Sequence, residues 1–458
     1  MRWRYAFFLP FLLLLIPLLD GLISWESGRR LAETEPAQAA RLLERAARRL
    51  PFWPELWEQA GLLAYRAQET EYAIQWLEQA RARQALTLEG WDTLGLAYWK
   101  EKQPERALAR WQEAQQSAPS VRLLMRQALA YRQLQDWAKE QAALEQWIQR
   151  KADDAYAHYR LGLLLLAEDP PRATEELSLA LSLEPRLEPA VVSLQAALQA
   201  MNRLPQESAR HLLLGRALGA VEEWELALRL FERARQEDPQ NGEAWAWIAE
   251  AYQHLGLPVQ DELERAQHLA PDSATVYLLQ GLYASRNGKS KRALEAFQRA
   301  AALQPQEAAI WIALGEAWAQ QNDLQAALQA YQRATGLAPQ DAATWRALAN
   351  FSATYGIEIA ELGLPAARRA VTLQPEDARN LDTLGWLLLL NGELEAAART
   401  LHQALALQPD LASAHLHLGS LLLYQGHTQE AQTHLQEVIR LAPNSPLAAI
   451  ASQMLGGR

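Results

Sequence analysis

Cysteine is absent from all 458 residues, which removes disulfides, Cys-ligated zinc and thiol catalysis together. Positive charge is in short supply as well: 44 Lys and Arg stand against 54 Asp and Glu, a formal net charge of −10. Binding to a phosphate backbone needs a basic footprint. No basic stripe runs through the sequence, so nucleic acid is not expected as a partner. Half the residues are apolar, with 22 Gly and 22 Pro, a composition that excludes disorder and a low-complexity fibre. Catalytic signatures are also missing: there is no G-x-x-x-x-G-K-[ST] loop, no G-x-G-x-x-G after a strand, no H-E-x-x-H and no G-x-S-x-G. Neither an enzyme nor a cofactor is expected. Five of the nine His, namely His402, His415, His417, His427 and His434, fall near the C-terminus. Their spacing does not make ligands converge, so no metal is expected.

Long hydrophobic runs are scarce, and the one present stands at the N-terminus. Tyr5 to Leu19 carries no charge; at about 1.5 Å per residue it reaches roughly 22 Å, short of a ~30 Å hydrocarbon core. Asp20 and Gly21 interrupt it, and Leu22, Ile23 and Trp25 extend it until it just spans. Arg2 and Arg4 precede the run, which by the positive-inside rule puts the N-terminus in the cytoplasm and the bulk of the chain outside. The expectation is a single-pass membrane anchor over residues 5–25. A cleaved secretory signal is the alternative, although DGLISWESG offers no A-x-A-like site. A hydrophobic cap folded onto the rest of the chain is a further one.

What the sequence does have is a pattern that recurs every 34 residues. Trp311, Leu314, Gly315, Trp318, Ala327, Tyr331, Ala334 and Pro339 form one set of offsets. The same offsets return as Trp91, Leu94, Gly95, Tyr98, Ala107, Trp111, Ala114 and Pro119, and again as Tyr277, Gly281, Ala293, Phe297, Ala300 and Pro305. Counting from the start of a unit, positions 4, 7, 8 and 11 share one helical face, and positions 20, 24 and 27 share another. Two helices result. Gly at position 8 and Ala at position 20 let the backbones approach, while aromatic side chains fill the space beside them. Pro at position 32 ends the second helix. Each unit exposes an apolar face that only the next can cover.

This set of residues resembles the tetratricopeptide repeat (TPR) family over nearly everything after the N-terminal run. The resemblance implies an all-α, right-handed α-solenoid of about eleven to twelve helix-turn-helix units behind an N-terminal hydrophobic helix. Units begin near Pro54, Leu88, Arg122, Ala155, Ser208, Gly242, Ala274, Ala308, Ala342, Ala378 and Ala412, with a partial one before them. The unit from Arg122 drifts in register, that from Gly242 is short, and that from Ala342 carries extra residues in TYGIEIAELGLP. The expected organisation is an anchor (1–25), an N-terminal array (26–187), an irregular connecting segment (188–207), a C-terminal array (208–445), and a capping helix with tail (446–458).

In the family the first helices line a concave groove, and positions 2, 5, 9, 12 and 13 commonly face the ligand. Carried over residue by residue, this implies partner-binding roles for Glu55, Glu58, Tyr65 and Arg66, for Glu89, Asp92, Trp99 and Lys100, and for Tyr159. Further on it implies Arg346, Asn350, Arg379 and Trp386. An acidic, aromatic N-terminal groove suits a basic or extended peptide, and Glu58, Asp92 and Trp99 are expected to be separable from packing. Arg346 and Asn350 resemble the start of the family's carboxylate clamp, but Thr383, Ser413 and His417 do not complete it. The function implied is a non-catalytic, membrane-anchored scaffold for peptide segments or partner proteins of an envelope, secretion or polysaccharide-assembly complex. A glycan- or small-ligand-binding solenoid with Tyr65, Trp99 and Trp386 as stacking platforms, or an accessory subunit of a separate enzyme, stands as the alternative.

Overall fold

A computed structural model describes residues 8–259 and 261–456, with side chains from Ile16 onward. The described residues form 26 α-helices, one 3-10 turn and one π-helical turn, and no strand. The helices come in pairs: α1 (Phe8–Leu31) with α2 (Pro36–Arg49), α3 (Glu55–Arg66) with α4 (Thr70–Ala82), and α5 (Leu88–Lys100) with α6 (Pro104–Ser117). Then follow α7 (Val121–Gln133) with α8 (Trp137–Arg150), α9 (Ala155–Leu165) with α10 (Pro170–Leu183), and a single α11 (Glu188–Met201). Next come α12 (Glu207–Ala220), α13 (Trp224–Glu237), and the pairs α14 (Gly242–His254) with α15 (Glu262–Leu269) and α16 (Ala274–Arg286) with α17 (Ser290–Leu303). The chain ends with α18 (Ala308–Gln320) and α19 (Leu324–Leu337), α20 (Ala342–Tyr355) and α21 (Leu364–Leu373), α22 (Ala378–Leu390) and α23 (Leu394–Leu407), α24 (Ala412–Tyr424) and α25 (Thr428–Leu441), and α26 (Pro446–Gly456). Two compact units divide the chain, residues 1–205 with 216–226, and residues 206–215 with 227–458.

Within a pair, the contact that the sequence pattern implies is very close. A Cβ placed on Gly95 would lie 2.0 Å from Trp111 Nε1, and one on Gly281 would lie 2.3 Å from the Phe297 ring. Only a residue without a side chain lets those rings lie against the first helix. The rings are buried, Trp111 and Phe297 each being 2% exposed. A second bond stitches consecutive pairs. Where Pro ends the second helix, its carbonyl accepts the indole N–H of the Trp six residues later: Trp245 to Pro239 at 3.3 Å, Trp311 to Pro305 at 2.9 Å and Trp345 to Pro339 at 3.0 Å. Position 4 is therefore aromatic and polar at once, which is why Trp recurs there.

The irregular units follow their sequences. Ala128 and Leu144, both buried, keep the sixteen-residue spacing of Gly95 and Trp111, so the drifting unit begins at Val121 and not at Arg122. The short unit has an eight-residue second helix, α15. The extra residues after α20 pass through Gly356 and Glu358, both with positive φ, into a π-helical turn over Ile359–Gly363. The segment expected to be irregular is helical over α11, which follows a 3-10 turn at Pro185–Leu187. Ser445 Oγ accepts from Ala448 N at 3.2 Å to start α26, whose Ala451 is buried against Leu435 and Val438 of α25.

The N-terminal expectation needs correction. Tyr5 to Phe7 lie outside the described residues, as do the side chains up to Leu15. Among the described residues no helix is long and apolar enough to cross a membrane. The remainder of the expected span is built into the first helix pair. Leu18 and Trp25 pack on the cluster of Ala39, Leu43 and Ala46. Gly28 meets Leu43 as Gly95 meets Trp111, and Asp20 pairs with Arg45 and Arg49 of α2. The preceding unit is thus a full helix pair. Its first helix hides in the sequence because it is continuous with the apolar run.

Candidate partner-binding groove

First helices pack side by side, α3 on α5 in the first unit and α14 on α16, α16 on α18, α18 on α20, α20 on α22 and α22 on α24 in the second. Successive second helices make no comparable contact. Along the second unit, and for α3 and α5 of the first, the first helices therefore share one inner face, and the Arg126–Asp92 bond joins α7 to α5.

Many of the polar residues assigned to this face are occupied. Glu58 is 5% exposed, and its Oε1 accepts from both the N–H and the hydroxyl of Thr87, each at 2.7 Å, at the start of α5. Asp92 is 6% exposed and receives Arg126 Nε at 3.0 Å. Arg346 donates to Asp377 at 3.0 Å and to Asn380 at 2.8 Å, which also leaves it unavailable for a carboxylate clamp. Thr383 donates to Asn350 Oδ1 at 3.0 Å, and Arg379 turns back to Asp377 on its own helix start. These side chains bond one repeat to the next. Glu58 and Asp92 are consequently part of the packing, against the expectation that they could be replaced without effect on melting.

The residues still facing water are of another kind. Tyr65 and Trp99 are half-buried, and Glu55, Arg66, Glu89 and Lys100 are exposed. Lys100 lies over the Tyr65 ring at 5.9 Å and bonds Gln68; Arg66 comes within 3.9 Å of Glu89. Burial pushes the Tyr65 hydroxyl above its ordinary range; Arg126 opposes this and Asp92 adds to it, which puts these three groups near one another on the face. The one-residue register shift brings two residues that the sequence reading missed onto the same face. Met125 and Leu129 occupy positions 5 and 9 of the unit from Val121 and are 38% and 42% exposed. Half-buried Leu62 and Leu96 hold position 9 in the two units before. The accessible surface of the first unit is thus apolar and aromatic with a mixed-charge margin, and not acidic.

Tyr159 is half-buried beside a buried ion cluster. Arg160, 2% exposed, donates to Glu140 at 2.6 Å and to Glu223 at 2.7 Å, and Arg132 reaches Glu223 at 2.9 Å. Burial raises the Tyr159 hydroxyl, helped by Glu223. Trp386 is half-buried and stacks on His417 with centroids 4.5 Å apart and planes at 14°, so that one ring face is already covered. Among the described residues no group of three or more His, Asp or Glu is placed to hold a metal ion. Asp92→Asn keeps shape and removes charge; it should lower the unfolding free energy by about 1–2 kcal/mol, read as a lower midpoint in urea, since Arg126 remains partly in water. An unchanged midpoint in urea would show the pair to be idle.

Tetratricopeptide repeat models match residues 93–155, 212–274 and 278–342, and a second model of the same description matches 388–454. No curated protein matches the chain. Among solved structures, yeast Tom70 is 16% identical, with 80% of this chain and 94% of that one covered at a TM-score of 0.39. The Cut9-Hcn1 hetero-tetramer of APC/C is 15% identical, with 93% and 94% covered at 0.47. YrrB, described as a TPR protein with an unusual peptide-binding site, is 20% identical, with 42% and 97% covered at 0.30. The family models together take in more than half of the sequence, and the helix pairs they describe are those of the structure: the chain belongs to the tetratricopeptide repeat family.

Proposed function

We infer that this protein is a non-catalytic scaffold whose first unit holds an apolar or amphipathic segment of a partner protein on its inner face. The observation that carries this reading is the exposure of Met125 and Leu129 in line with Leu62, Leu96, Tyr65 and Trp99. Apolar side chains left in water along one face of a repeat array mark an interaction surface. Tyr65 and Trp99 supply rigid contact area, and Arg66, Glu89 and Lys100 form a margin that tunes encounter more than affinity. In this reading the acids at position 5 set the spacing of the repeats, and the partner's apolar residues provide the binding energy. Once a partner has been co-purified, Leu96→Glu and Leu129→Glu should each weaken its binding roughly tenfold or more, because each leaves a charge against a desolvated surface. Tyr72→Ala, an exposed residue of the second helix α4, should leave binding unchanged. Equal affinities for all three variants would move the site elsewhere.

A seat in a membrane, in an envelope, secretion or polysaccharide-assembly complex, is the more specific form of this proposal. Its support is the uncharged run from Tyr5 together with a stripe of exposed apolar residues on α1, with Ile16 and Leu19 each 56%, Leu22 41% and Ile23 66% in water. The only acid among them, Asp20, is neutralised by α2. Removal of a signal of about 24 residues would strip away Leu18 and Gly21, which pack on the first helix pair, and the buried Ser24, and this favours a retained segment. A chain lacking residues 2–15 keeps the first helix pair, and it should leave the membrane fraction after an alkaline wash while the full chain stays. A full chain found in the soluble fraction would overturn this form of the proposal.

A further inference from the structure

The last repeat carries a histidine at the position where the repeats from Gly242, Ala308 and Ala342 carry tryptophan. His415 Nε2 lies 2.9 Å from the carbonyl of Pro409, six residues earlier, in the place taken by the indole N–H of Trp311 and Trp345. A carbonyl only accepts, so Nε2 holds the proton, and in the neutral ring Nδ1 is bare. That Nδ1 lies 2.8 Å from Nδ1 of His434 on α25. His434 must therefore carry its own proton on Nδ1 and donate. One backbone carbonyl fixes the tautomers of both rings.

We propose that the His415–His434 contact makes the C-terminal end of the chain, α24 to α26, an acid-sensitive element that loosens as the pair becomes fully protonated. One added proton leaves a single N–H between the two Nδ1 atoms and the contact intact. A second places an N–H on both Nδ1 atoms, and the two then face each other. The charged surroundings are mixed. His402 on α23 adds to the repulsion, and Glu430 and Glu437 on α25 oppose it, Glu437 being engaged by Arg440. On α24 itself His417 is held by Asp382 Oδ1 of α22 at 2.7 Å. α26 brings no titratable group within its described residues. Burial, then the neighbouring His415 and His402, holds His434 below the ordinary imidazole range. A histidine depressed in the folded state contributes stability that is complete above its unfolded value near 6.5 and is lost as pH falls below that value and through the folded one. His434 stands next to Leu435 and one turn before Val438, the residues on which α26 is seated. Loosening at the pair therefore uncovers an apolar face that α26 otherwise hides.

Hydrogen exchange on the full chain tests this, with rates at pH 7.5 and pH 5.0 corrected for their intrinsic pH dependence and the amides of α16 to α19 as internal reference. Protection in α24 to α26 should fall about tenfold relative to that reference, whose amides lie away from the pair. His415→Trp keeps the bond to Pro409 and removes the titrating pair while His434 stays buried beside His402, so the fall should shrink clearly. His434→Gln, whose amide can still donate to His415 Nδ1, should also flatten the response and decides the matter if the tryptophan variant does not fold. A native chain without the fall, or an undiminished fall in both variants, would overturn the proposal.

Discussion

The close approach of the two helices in each repeat is the constraint on which everything else rests. Where position 8 is Gly, a ring or a leucyl group from position 24 of the second helix lies flat on the first helix, as Trp111 does on Gly95 and Phe297 on Gly281. The interior of each pair is filled this way, and the outer faces of the first helices are left to pack on the next unit. The Trp-to-Pro carbonyl bonds and the ion pairs between successive first helices then fix the step from one repeat to the next.

Fixing the step has a functional consequence. Charged residues that stand at groove positions by count are used as struts, and buried struts must be fully bonded because an orphaned buried charge costs several kcal/mol. Glu58, Asp92 and Arg346 meet that condition through partners in the following repeat. What the struts leave in water on the inner face of the first unit is leucine, methionine, tyrosine and tryptophan, margined by Glu55, Arg66, Glu89 and Lys100. The last repeat departs from the rule at one position, where His415 replaces tryptophan and keeps its bond to proline while gaining a titrating neighbour.

How much of this was legible in the sequence depended on whether periodicity or pairing was at issue. The helix pairs, their all-α architecture, the short second helix after Tyr252 and the insertion after Tyr355 follow from spacing alone, because position 8 and position 24 must meet. The start of the drifting unit was misplaced by one residue, since counting from Arg122 puts Leu129 and Glu145 at positions 8 and 24 where Val121 puts Ala128 and Leu144, and that slip hid Met125 and Leu129. The burial of Glu58 and Asp92 was not legible, because their partners Thr87 and Arg126 lie 29 and 34 residues away, beyond any helical spacing. The first helix of the first repeat was masked by the apolar run that leads into it and by its spacing, since Gly28 and Leu43 stand fifteen residues apart where Gly95 and Trp111 stand sixteen.

A double-mutant cycle at Gly281 and Phe297 probes the governing contact directly. Gly281→Ala in the native background should cost about 1–3 kcal/mol, because its Cβ meets the ring. In a Phe297→Ala background the ring is gone, and the same change should cost nothing or stabilise by up to about 1 kcal/mol through helix propensity. The account predicts a coupling of more than about 1 kcal/mol between the two sites. Strict additivity, with Gly281→Ala equally costly in both backgrounds, would contradict it.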